Sequence, residues 1–145
     1  MNLKAGSGRP LQLWIVAVLS LLWNAMGAFD YLATKLRLEF YMQNFTPEQL
    51  DYFYGFPAAA TVFWALGVWG ALLGSVALLL ASRWAVVLFA VSLCGMLVSM
   101  SWTLLISDGF EIMGSAGAIF SGVIVIIGIG LWLYARRMRA IGVLR

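Results

Sequence analysis

The sequence predicts an all-α integral membrane protein: a four-helix bundle with both termini on the cytoplasmic side and a short interfacial helix in its first outer loop. Three observations predict it. Of 145 residues, 63% are hydrophobic and 10% are charged, whereas a soluble domain carries roughly 25% charged residues. The mean hydropathy of +0.96 leaves too little polar surface for water to be the main solvent. The nine basic and six acidic residues also gather in clusters, leaving four long uncharged runs. This composition excludes disorder, a disulfide scaffold and a nucleic-acid module.

The runs are residues 10–29, 52–82, 84–107 and 112–135. A membrane helix needs about 20 mostly apolar residues to cross a ~30 Å hydrocarbon layer at ~1.5 Å per residue. Each run suffices for one crossing and none for two. Leu-, Ala- and Val-rich runs of this length lack strand alternation, so helices are the means left to satisfy the backbone in lipid. The spans fall near 11–32, 57–81, 84–107 and 114–137 of a single transmembrane domain, 1–145.

The first span follows Lys4 and Arg9. Its Ala25-Met26-Gly27 end also resembles a signal-peptide cleavage site. An apolar run longer than usual, carrying Trp14, Trp23 and Asn24, argues for a retained span. In the outer loop 33–56, Thr46 caps a short helix, Pro47 suits its first position and Gln49 closes a capping box. Phe45 and Leu50 stand where a hydrophobic staple would place them, and Gly55 ends the helix. Tyr31, Phe40, Tyr41, Phe45, Tyr52, Phe53, Tyr54 and Phe56 crowd this loop. They read as an aromatic belt at headgroup depth, or as a lid over a ligand site. Asn44-Phe45-Thr46 matches a glycosylation sequon, a short pattern taken as chance.

Orientation follows from the loops. Lys4, Arg9, Arg83, Arg136, Arg137, Arg139 and Arg145 fall on one side. Asp30, Glu39, Glu48, Asp51, Asp108 and Glu111 fall on the other, with Lys35 and Arg37. Bases near membrane ends stay cytoplasmic, so 33–56 and 108–113 are expected outside.

Little here carries chemistry. There is no histidine, and Cys94 is the only cysteine, so no imidazole base, CxxC pair or usual transition-metal site exists. No charge lies deep in a span, where ion-coupled carriers usually hold one. No enzyme, cofactor or metal is expected. The candidate polar cavity is floored by Asn24, Ser99, Ser101 and Ser121, with Asp30, Tyr31 and Asp108 at its mouth; it would suit a neutral, hydroxyl-rich solute. The competing reading makes Asn24 an interhelical hydrogen-bonding residue. Small residues at close spacings, Gly67, Gly70 and Gly74 in span two, Gly95 in span three, and Gly114 and Gly122 in span four, mark helix-packing faces. They serve packing within the chain, a homodimer or docking onto a larger membrane complex. Gly128 and Gly130 belong to no clear stripe.

At Gly27-Ala28-Phe29-Asp30-Tyr31, Phe45-Thr46-Pro47-Glu48-Gln49-Leu50, Tyr54-Gly55-Phe56-Pro57 and Arg83-Trp84-Ala85-Val86, the chain resembles a family of small four-span bacterial membrane proteins. The resemblance covers roughly residues 20–137. Most members are uncharacterised and some carry the label "sugar transporter"; the resemblance implies a bacterial inner membrane. Two functions are therefore expected: a non-enzymatic accessory or scaffold protein acting through helix packing, or a facilitative carrier of a small neutral, sugar-like solute working as a dimer. The two helix pairs share no internal repeat of the kind carriers often show, which favours the first.

Overall fold

A computed structural model describes residues 9–145; Lys4, one of the seven clustered bases, lies outside the described residues. Six helices follow in order: α1 (Leu11–Lys35), α2 (Glu39–Met42), α3 (Pro47–Tyr54), α4 (Ala58–Leu79), α5 (Trp84–Ser101) and α6 (Gly109–Ala140). A π-helical turn, Trp102–Ile106, prolongs α5. Among the described residues there is no strand. α1, α4, α5 with its π turn, and α6 are each long and apolar enough to cross a membrane.

The predicted spans match these helices closely at their starts for α1, α4 and α5. Two differences have physical reasons. α1 runs on to Lys35 because Lys35 is itself anchored, its Nζ donating to Thr61 Oγ1 at 3.2 Å. The fourth helix begins at Gly109 instead of 114, and the expected 108–113 loop is mostly a helical turn. A break at Gly114, with φ 71° and ψ −172°, separates that turn from the long helix. This backbone region is essentially restricted to glycine. α2 was not expected from the sequence.

Three helices end alike. The N–H groups of Leu38, Ser82 and Val143 bond the carbonyls of Ala33, Ala77 and Met138, and those of Arg37, Ala81 and Gly142 bond Thr34, Leu78 and Arg139. These are Schellman closures, with Arg37 and Ala81 (both φ 53°) and Gly142 (φ 80°) in the left-handed position.

α1 packs on α4, α4 on α5 and α5 on α6, while α3 lies against both α1 and α6 at the far end. Among the described residues, a core in which all four long helices meet sits at the end where α1 begins and α6 ends. It contains Leu13 and Ala17 of α1, Ala77 and Leu78 of α4, Ala85 and Phe89 of α5, and Ala135 and Met138 of α6, with Leu144 of the tail. The tail is held by backbone pairing: Arg145 N–H donates to Ala81 O, and Arg83 N–H to Arg145 O, both at 3.0 Å. Beyond this core α6 is peripheral. Its Ile119 and Ile126 are 69% and 71% exposed, and only Gly109, Ala135 and Met138 of the helix are buried. Apolar faces this open suit a lipid solvent.

Candidate functional site

The residues expected to form one polar cavity are instead distributed among three arrangements. Asn24 turns to α4: its Nδ2 donates to Ser75 Oγ at 2.8 Å and to Ala71 O at 3.3 Å. Ser20 Oγ donates to the same Ser75 Oγ at 3.0 Å, and Ser75 Oγ donates in turn to Ala71 O at 2.9 Å. Ser75, fully buried, is therefore the hub of a closed α1–α4 network. Neither Ser20 nor Ser75 was among the sequence candidates. Depth counted along the helices does not single them out, and pairing across helices depends on how each helix is rotated.

Ser99 is buried on α5, and its carbonyl accepts from Thr103 Oγ1 at 3.1 Å. Ser101 and Asp108 are exposed, and Ser121 is half-buried on α6. Among the described residues none of these three side chains makes a hydrogen bond to Asn24. Two shallow surface grooves also lie elsewhere. One of about 350 Å³ is bounded by Arg37, Glu39, Met42, Gln43, Phe45, Leu50 and Tyr54. The other, about 170 Å³, is bounded by Arg83, Trp84, Val87 and Arg139.

Asp30 and Tyr31 belong to an aromatic cap over the loop end. Edge-to-face and tilted contacts run without interruption through Phe40, Phe29, Tyr41, Phe45, Phe53, Tyr52, Phe56, Trp64, Tyr31 and Trp69. Such ring pairs contribute roughly 0.5–1.5 kcal/mol each beyond area burial. Lys35 lies over the Trp64 ring and Arg37 over the Tyr54 ring, at 5.6 and 4.1 Å. The capping box is present as expected: Thr46 Oγ1 accepts from Gln49 N–H at 3.2 Å and Gln49 Oε1 from Thr46 N–H at 3.1 Å. Phe45 and Leu50 flank the same groove.

Polar bonds pin the cap at both edges. On one side Tyr41 OH donates to Asp30 Oδ1. Burial pushes the Tyr41 phenol above its ordinary value, and the hydrogen bond and negative charge of Asp30 push it the same way. On the other side Tyr52 OH and Ser107 Oγ are 2.7 Å apart, and Ser107 Oγ donates to Thr103 O at 3.1 Å. Gly109 makes this joint possible: a Cβ there would come within 2.4 Å of Thr103 O and 2.6 Å of Tyr52 OH. The π turn, α3 and the start of α6 thus meet at one crowded point. π turns often mark such special positions.

The small residues divide by use. α4 and α5 spend theirs on each other. A Cβ at Gly67 would lie 3.2 Å from Met96 N, one at Gly70 3.1 Å from Ser92 Cβ, and one at Gly74 2.8 Å from the Phe89 ring. At Gly95 it would come within 2.7 Å of Phe63 O. Ser92 Oγ donates across this seam to Gly67 O at 2.6 Å. Gly128, unassigned by the sequence, lets α6 approach α5, since its Cβ would meet Leu93 Cδ2 at 3.0 Å. The reading of Gly114 and Gly122 as packing glycines is corrected within the chain: an added Cβ at either meets nothing within 4 Å. Gly114 serves the backbone break, and Gly122 faces open space.

Among the described residues no group of three or more His, Cys, Asp or Glu is placed to hold a metal ion. Cys94 is exposed. Comparison with protein-family models, with curated proteins and with solved structures returns no match.

Proposed function

We propose that this chain is a multi-pass protein of a bacterial inner membrane, with both termini cytoplasmic, and that it acts without catalysis as an accessory or scaffold subunit. The reading rests above all on the Ser20–Ser75–Asn24 network. The Asn24 amide and the Ser20 and Ser75 hydroxyls bond to one another and to helix carbonyls, so the amide most suited to a solute is engaged in holding α1 to α4. The charge asymmetry between the two ends supports the orientation. The aromatic cap, with α3 along the membrane surface, suits headgroup depth. The outward face of α6 around Gly122, where exposed Ile119 and Ile126 flank a glycine that touches nothing else in the chain, is the face through which the chain associates.

Mild extraction of the whole chain followed by native mass spectrometry tests this. A stoichiometric membrane partner, or a second copy, is the expected result. Uptake of neutral sugars into proteoliposomes above that of empty vesicles would overturn it in favour of a facilitative carrier.

A further inference from the structure

We propose that the groove between the start of α5 and the end of α6 binds the phosphate of an anionic phospholipid through Arg83 and Arg139. The argument starts from how two arginines so distant in sequence come to share one groove of about 170 Å³. Arg83 immediately precedes α5, and Arg139 lies in the last turn of α6. The Schellman closure at Gly142 turns the chain back. The paired Arg145 and Ala81, and Arg83 and Arg145, backbone groups then fix the α4–α5 turn against the end of α6. The groove is thus built by the fold and is more than a run of neighbouring charges.

Its arginines are available for an anion. All six acidic residues belong to the opposite end of the molecule. Two nearby arginines are occupied: Arg9 donates to the Leu79 and Leu80 carbonyls at 2.9 and 3.3 Å, and Arg136 stacks on Trp132 at 4.9 Å. Among the described residues the Arg83 and Arg139 side chains have no hydrogen-bond partner. Guanidinium groups match phosphate oxygens in a bidentate fork.

The remaining walls choose between a lipid phosphate and a free one. Trp84 and Val87 are 60% and 45% exposed and continue the groove along α5 into the apolar belt. The surface of the groove is almost wholly apolar, with Arg83 and Arg139 among the residues that bound it, so a ligand carrying an acyl chain beside its phosphate suits it better than a free phosphate. Basic clefts between membrane helices on the cytoplasmic side take anionic headgroups in this way. The inference rests on the membrane-spanning placement proposed above.

The test is native mass spectrometry of the whole chain, extracted from phosphatidylcholine vesicles with and without phosphatidylglycerol. One phosphatidylglycerol is expected to survive delipidation, with phosphatidylcholine lost and inorganic phosphate unable to displace it. Arg83→Gln with Arg139→Gln should weaken retention more than about tenfold. Arg137→Gln, which removes a charge outside the groove, should leave it unchanged. Equal loss in Arg137→Gln would overturn the site in favour of diffuse attraction, and displacement by inorganic phosphate would overturn the lipid assignment. Equal retention of the two lipids by the unmodified chain overturns it whatever the variants do. Membrane placement is read separately, from whether alkaline carbonate leaves the chain in the vesicles.

Discussion

At the scale of single residues, the polar side chains act as fasteners. Ser75 accepts from both Asn24 and Ser20. Hydrogen bonds between membrane helices contribute modestly, averaging about 0.6 kcal/mol, because the separated helices also find partners. Removing the shared acceptor leaves Asn24 only the Ala71 carbonyl and Ser20 only the Ala17 carbonyl, so Ser75→Ala is expected to cost about 1 kcal/mol in a mixed-micelle denaturation series. Ala81 is the opposite case. It closes α4 with φ 53°, a conformation disfavoured for any residue with a Cβ. Ala81→Gly should therefore raise stability by about 1 kcal/mol in the same series, and no gain would mean that its neighbours already relieve the strain. Tyr41 supplies a pH-dependent prediction. Its phenol keeps its proton more tightly in the folded loop than the ordinary value of 10.0 implies. A raised folded value means that its contribution is complete below pH 10.0 and is lost as pH rises through the higher folded value. Tyrosinate absorbance should show a step above pH 10.0, and Tyr41→Phe should diminish that late step.

At the scale of elements, the α4–α5 seam and the Tyr52–Gly109 joint are the tightest contacts. Both rest on glycine, for backbone proximity and not for turns. Gly95 admits Phe63 O and Gly67 N to distances a Cβ would bring below 3 Å. Backbone atoms of a neighbouring helix cannot yield as a side-chain tip does. Gly95→Val should cost about 3 kcal/mol or more and lower the helical content retained on heating. The stripe in span two was visible in sequence, and so was the capping box, because both are local patterns with fixed spacing. The use of the stripe was not visible. Three small residues on one helix face announce a close approach without naming which helix approaches. The π turn had no sequence signal at all; its polar residues, Thr103 and Ser107, bond the backbone in a way that depends on where α3 delivers Tyr52.

At the scale of the whole molecule, helix number and placement were legible because lipid leaves few alternatives for an uncharged run of this length. Residues 84–107 became Trp84–Ile106 with almost no adjustment. The common cavity was not realised for the same reason that the network was missed: depth alone placed Asn24, Ser99 and Ser121 together, and rotation separated them. What remains unpartnered is the outward face of α6. If that face carries association, Gly122→Ile should convert an associated species into a single chain in detergent, measured by light scattering, with helical content unchanged. An unaltered mass would place the contact on another helix.

The glycine seam also bears on the order of assembly. α4 and α5 are consecutive, with only Leu80 to Arg83 between them. The closest helix contact in the protein is therefore closed by a connection of only a few residues, and the entropy lost in bringing the two helices together is small. A hairpin of α4 and α5 is expected to form as soon as both have entered the bilayer, with Ser92 already bonded across it. α1, inserted earlier, then docks through Ser20 and Asn24 onto a surface that waits for it. α6 arrives last and seats through Gly128 and the basic end, leaving its outward face available to another chain throughout.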